Sequence, residues 1–172
     1  AEYMTALMTA ECADLETIAQ AVKECKRMGI EVLAPDLNES LSNFTYVDDR
    51  TIRFGLVAIK NLCEEVIASI IEERKAKGVF KDLSDFARRV THRAFNKKSL
   101  EALIKSGAMD RFGERAQLLE NVDRILMLNK TSERERSANQ GSLFAAAPSA
   151  MDASITLKPC EPATMRVILA WE

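Results

Sequence analysis

The chain lacks most of what a catalytic or metal-binding protein needs. Its only histidine is His92, and its four cysteines (Cys12, Cys25, Cys63, Cys160) are far apart, with no C-x-x-C pair. That spacing argues against a Cys/His zinc site and for reduced, cytosolic thiols. No apolar run is long enough for a membrane span, and no signal peptide is evident. Clustered carboxylates of the kind that hold two cations for nucleotidyl transfer are also missing. Asp48-Asp49 is the only paired aspartate, and it falls at an expected hairpin tip where turn chemistry explains it. Glu64-Glu65 and Glu72-Glu73 read as solvated helix surface. A net charge of -2 gives no global attraction to nucleic acid, so any such attraction must be local.

What is present is helical patterning. With 47% hydrophobic and 29% charged residues in 172, the chain can bury a core, as one helical body plus a tail. Apolar residues recur at helical spacing in three successive segments: Val66, Ile67, Ile70, Ile71 within Glu64–Ala76; Leu83, Phe86, Ala87, Val90 within Asp82–Val90; and Leu100, Leu103, Ile104 within Lys97–Lys105. None is long enough to be stable alone, so they must share a core. Earlier, Glu2–Thr9 reads as the end of a helix with Tyr3, Met4, Leu7 and Met8 on one side. Asp14 is a plausible N-cap for a helix striped by Leu15, Ile18, Val22 and Cys25, closed by Gly29. Ile30–Leu33 reads as a strand and 44–54 as a small hairpin. After Gly113 a helix is expected over Glu114–Leu128, with Leu118, Leu119, Val122, Ile125 and Leu126 inward. From Asn129 to about Arg166 no amphipathic period remains, so this stretch reads as a flexible linker.

Charge is concentrated in one place. Between Arg88 and Arg115 lie eight Lys/Arg (Arg88, Arg89, Arg93, Lys97, Lys98, Lys105, Arg111, Arg115) against Glu101, Asp110 and Glu114. The turn around His92 therefore has a phosphate-facing composition. Cys63 reads as a small buried hydrophobe and His92 as a turn residue with no nucleophile beside it.

A turn, a helix ending Ile71-Glu-Glu-Arg74, then Gly78-Val-Phe-Lys-Asp-Leu-Ser-Asp-Phe86, then a second turn and helix, resembles the tandem helix-hairpin-helix module of DNA-handling proteins. The flanks narrow this. Glu24–Leu33, Pro35–Ser40, Ile52–Leu56, Ala58–Asn61 and Leu103–Ala108 together resemble the bacterial DNA polymerase III alpha subunit family, from about Glu2 to Phe144.

The resemblance implies a mainly α fold. Residues 1–55 would end the fingers region with a short β element, 56–128 would be the tandem hairpin module, 129–166 a flexible linker, and 167–172 the start of the next element. The chain opens without methionine and stops mid-pattern, and so reads as an excised piece. The implied whole is a cytoplasmic DNA-directed DNA polymerase, a nucleotidyltransferase using magnesium, whose catalytic aspartates lie upstream; no cofactor is expected in this piece. Implied partners are double-stranded DNA, the sliding clamp and other holoenzyme subunits.

Such modules point backbone N–H groups of tight turns at phosphates beside helix N-termini, with glycines allowing close approach. Here the first turn has Cys63 where glycine is usual, and the second, Thr91–Asn96, has none. Lys60, Asn61, Arg93, Lys97 and Lys98 are the expected DNA contacts, side chains replacing some backbone contact. Gln140-Gly-Ser-Leu143-Phe144 resembles the peptide by which bacterial polymerases dock on the sliding clamp. Leu143 and Phe144 would be the apolar anchors, worth roughly 3–6 kcal/mol of gross burial, and Gln140 the polar handle. Two other readings stay open. One is a degenerate hairpin module kept as a protein-interaction scaffold. The other is a cryptic nuclease, which requires Asp48, Asp49 and Glu64 to converge.

Overall fold

The computed structural model describes residues 1–139 and 155–171. Two apolar cores organise them. The smaller gathers Met4, Met8, Ile18, Ala21, Cys25, Ile30, Phe44 and Ile52 between helices α1 (Glu2–Ala10) and α2 (Leu15–Arg27) and a three-stranded sheet. Asp14 caps α2, its carboxylate accepting the N–H groups of Glu16 (3.0 Å) and Thr17 (3.4 Å), and Gly29 leaves the helix at φ 72°. Tyr3 and Leu15, expected on buried stripes, are 75% and 44% exposed. With only two helices over one small sheet, the ends of both stripes reach past the core.

Strands β1 (Glu31–Leu33), β2 (Thr45–Asp48) and β3 (Thr51–Arg53) have the order β1-β3-β2. β2 and β3 form the expected hairpin, with an irregularity between Tyr46 and Asp48. β1 pairs parallel to β3, a non-local pairing that strand periodicity does not encode. Gly55 lets the chain leave the sheet: a Cβ there would overlap the backbone of Asn43 and Phe44.

The larger core holds Leu56, Ile59, Leu62, Val66, Ile67, Ile70, Phe80, Leu83, Phe86, Ala87, Val90, Phe95, Leu100, Leu103, Ile104 and Met109, among others. A 3₁₀ turn (Leu56–Ala58) leads into α3 (Glu64–Lys77), followed by α4 (Leu83–Arg89) and α5 (Lys97–Lys105). Phe86 is the hub, its ring meeting Phe80 (5.3 Å) and Phe95 (5.9 Å) edge-on and lying near-parallel to Phe112. The Pro35–Ser40 loop is stitched to this body by two sets of hydrogen bonds. Asn38 pairs with both backbone groups of Phe80 (2.8 and 2.9 Å), and Arg74 donates to the carbonyls of Leu37 and Ser40.

The expected single helix after Gly113 is two: α6 (Arg115–Glu120) and α7 (Val122–Asn139). Buried Asn121 sits at the break, donating to Gln117 O and pairing with both backbone groups of Lys158. Ile155–Lys158 thus lies against the break as an extended strap, with Ile155 N donating to Ser84 Oγ. α7 also continues well past Leu128, into the stretch whose composition suggested a linker. Its buried Asn129 donates to Ala87 O (2.8 Å) and Val90 O (2.6 Å), taking up carbonyls at the end of α4 that a helix terminus leaves open. Tertiary contact, absent from the local pattern, supports the helix. A last helix, α8 (Met165–Trp171), starts two residues before the expected Val167. Among the described residues no helix is long and apolar enough to cross a membrane.

Candidate nucleic-acid interface

The two expected turns adjoin. Ser99 Oγ, in the first turn of α5, donates to Asn61 O of the first turn (3.3 Å), and His92 and Arg93 of the second turn exert a weak electrostatic pull on Glu65 at the start of α3. Lys60, Asn61, Arg93, Lys97 and Lys98 are all exposed around this junction. The five residues singled out from sequence thus lie on two adjoining turns and the first turn of α5.

In the first turn, Asn61 and not Cys63 occupies the left-handed conformation, with φ 64°. Asparagine tolerates that region better than most residues, so the turn closes without glycine. Cys63 has extended geometry, is half-buried, and gives α3 no side-chain cap. The acids Glu64 and Glu65 follow directly. The Glu65 carboxyl is held below the usual range, first by a backbone N–H and then by the Cys63 thiol, with smaller attraction from His92 and Arg93. The N-terminus of α3 thus already holds an anion of its own.

The second turn differs. Asn96 caps α5, its side chain accepting the N–H groups of Lys98 (2.9 Å) and Ser99 (3.2 Å), and Lys97 and Lys98 follow with no acid in the first turn. The cap consumes two N–H groups, so an anion approaching here meets cationic side chains more than bare backbone. His92 Nδ1 accepts Ala94 N–H (3.2 Å) and Asn96 donates to Ala94 O, which holds the turn without glycine.

The local excess of positive charge is smaller than the sequence suggests. Arg89, counted with the phosphate-facing residues, is buried: it pairs with Asp85 (2.9 Å) and Glu73 (3.5 Å), donates to the carbonyls of Glu73 and Gly78 (both 2.7 Å), and lies 4.4 Å over the Phe80 ring. It joins α3 to α4 and has no face left for DNA. Arg111 pairs with Glu39 and Asp36, Arg115 with Asp110, and Lys105 with Glu101. Arg88 is half-buried and engaged within the fold. Lys97 reaches Asp123 (3.1 Å), but this pair is open to solvent and so contributes at most about 1 kcal/mol; it can be exchanged for a phosphate. Arg93 and Lys98 carry most of what remains.

The paired aspartates serve their hairpin. Asp48 accepts Arg50 N–H, and Asp49 accepts the Tyr46 hydroxyl (2.7 Å), which pushes the Tyr46 phenol up to about 12. Glu64 belongs to the other core's helices, and among the described residues no group of three His, Cys, Asp or Glu side chains could hold a metal ion. Gln140, Leu143 and Phe144 lie outside the described residues.

The chain matches the helix-hairpin-helix motif family over residues 29–118, more than half its length. It is 45% identical over 125 residues (73% of this chain) to a DNA polymerase III subunit alpha of Deinococcus radiodurans. To that of Thermus aquaticus it is 42% identical over 145 residues, 84% of this chain. To that of Escherichia coli it is 36% identical over an alignment covering 100% of this chain. These alignments take in only 9%, 12% and 15% of the relatives' own lengths. Turns, helices and relatives agree: the chain belongs to the helix-hairpin-helix motif family and is similar to one segment of the bacterial DNA polymerase III alpha subunit.

Proposed function

We propose that this chain is the part of a replicative DNA polymerase that holds duplex DNA behind the active site, without reading its sequence. The observation that carries the reading is the junction of the two turns, which gathers Lys60, Arg93 and Lys98 beside two helix N-termini. Exposed cations of this kind meet phosphates and make no demand on base identity. Binding is then weak and salt-dependent, with a log–log slope of about 0.9 per phosphate neutralised. In this reading the carboxylates and magnesium that polymerisation requires come from the rest of the polymerase.

In this reading Gln140, Leu143 and Phe144 dock on the sliding clamp. They follow α7 directly in sequence, so docking would tether the ring close to the held duplex and raise its effective concentration there. Other holoenzyme subunits complete the set of partners, and the work is done in the cytoplasm.

Fluorescence anisotropy with a labelled duplex over a salt series tests the first part. Arg93→Glu with Lys97→Glu should weaken binding to all sequences alike; unchanged binding at low salt would defeat the assignment. For the second part, Leu143→Ala with Phe144→Ala should abolish clamp binding with an unaltered circular dichroism spectrum. The acids Glu64 and Glu65 at the first turn favour the rival reading, a module kept for protein contact alone. Under that reading the wild-type chain shows no salt-sensitive binding at any salt concentration.

A further inference from the structure

The strongest unassigned feature is the far half of α7. The helix runs alongside the second turn from end to end. Asp123 meets Lys97 where α5 begins, Asn129 holds the last carbonyls of α4, and Arg136 reaches the start of the turn. Arg136 Nη1 donates to Thr91 Oγ1 (2.8 Å) and to Arg89 O (3.3 Å), and the residue is exposed. It lies outside residues 29–118, the extent of the family match, and its charge is absent from any count made over the hairpins. Lys130 and Arg134 are exposed on the same helix, while Glu133 is engaged within the fold.

We infer that α7 supplies a third element of the duplex-binding face, with Arg136 contacting a phosphate next to the one held by Arg93 and Lys98. The inference rests on the proposed DNA-binding function. Its chemistry follows from the guanidinium: Nη1 braces the turn, and a planar fork with five N–H donors can bind the turn and an anion together. A backbone contact of this kind adds affinity and fixes the direction of the bound duplex without adding sequence preference.

The test is the anisotropy salt series on the whole chain, with Arg136→Gln, Arg136→Lys, Thr91→Val and the Arg93→Glu/Lys97→Glu variant. Arg136→Gln should make the log–log slope shallower by about 0.9, one phosphate's share, and Arg136→Lys should restore it. Thr91→Val removes the brace without touching charge and should keep the wild-type slope. If Arg136→Gln and Arg136→Lys weaken binding equally at the wild-type slope, Arg136 only braces the turn and the inference is overturned. It is overturned equally if only Arg93→Glu/Lys97→Glu has an effect. If neither responds, the DNA-binding reading falls with it.

Discussion

The two hairpins are built to one plan and charged in opposite ways. At the first, the N-cap Cys63 gives α3 no side-chain cap, and the Glu65 carboxylate takes up a backbone N–H itself, with Glu64 beside it. At the second, Asn96 takes up the N–H groups, and Lys97 and Lys98 stand in their place. One turn offers backbone with an anion in the way; the other offers cations on a backbone already satisfied. A helix N-terminus is therefore not a phosphate site by virtue of its dipole alone, which is worth roughly 0.3–1 kcal/mol at an exposed end. A single unit charge nearby matches or exceeds it, and the residues at the first helical positions decide the sign.

Beyond charge reversal at the second turn, three kinds of substitution can break or sharpen this contrast. The largest effect should come from Asn129→Ala. It strips two carbonyls at the end of α4 of their donor and should cost about 1–3 kcal/mol of unfolding free energy in urea denaturation. Because α4 leads straight into the second turn, duplex affinity should fall as well. A loss of stability below about 0.5 kcal/mol would mean that α7 does not hold the second hairpin in place.

Next comes the left-handed seat of the first turn. Asn61→Val should destabilise by roughly 1–2 kcal/mol, while Asn61→Gly should be near neutral, since only the former places a β-branched side chain at φ 64°. Equal melting temperatures for the two variants would show that the turn re-forms another way.

The smallest effect is electrostatic. Glu65→Gln removes an anion from the first turn and should tighten duplex binding by roughly threefold at low salt, the effect of one unit charge ~6 Å away in water. Because the Glu65 carboxyl is held below the usual range, it stays charged throughout neutral pH, and the gain should be flat there. Asp123→Asn, which frees Lys97 at the second turn, should give a gain of similar size. Should Glu65→Gln weaken binding instead, the acids of the first turn would be contributing to the interface, and the two hairpins would not differ in the sense of their charge.

Much of the helical body was legible because its signals are local. Lys97–Lys105 falls where the Leu100, Leu103, Ile104 spacing places it, and Asp14 and Gly29 bound α2 through cap chemistry that depends on a few neighbouring residues. The five interface candidates came from the family resemblance more than from periodicity. What misled was counting charge along the chain. Arg89 looks like its neighbour Arg93, yet its partners Glu73 and Gly78 come from the preceding helix and turn, and only the fold brings them within reach. Reading Asn129–Asn139 as a linker failed for the same reason: Asn129 and Arg136 find their partners some forty residues upstream.

Most of the helices, their order and the ends of α2 were thus written into the chain itself, because spacing and turn chemistry act over a few residues. Folding settled the rest: which cations stay free, that Asn61 takes the left-handed seat, that β1 lies parallel to β3, and that α7 extends beside the second turn. These outcomes depend mainly on groups distant in the chain, whose desolvation and hydrogen bonding are determined only when the two cores close.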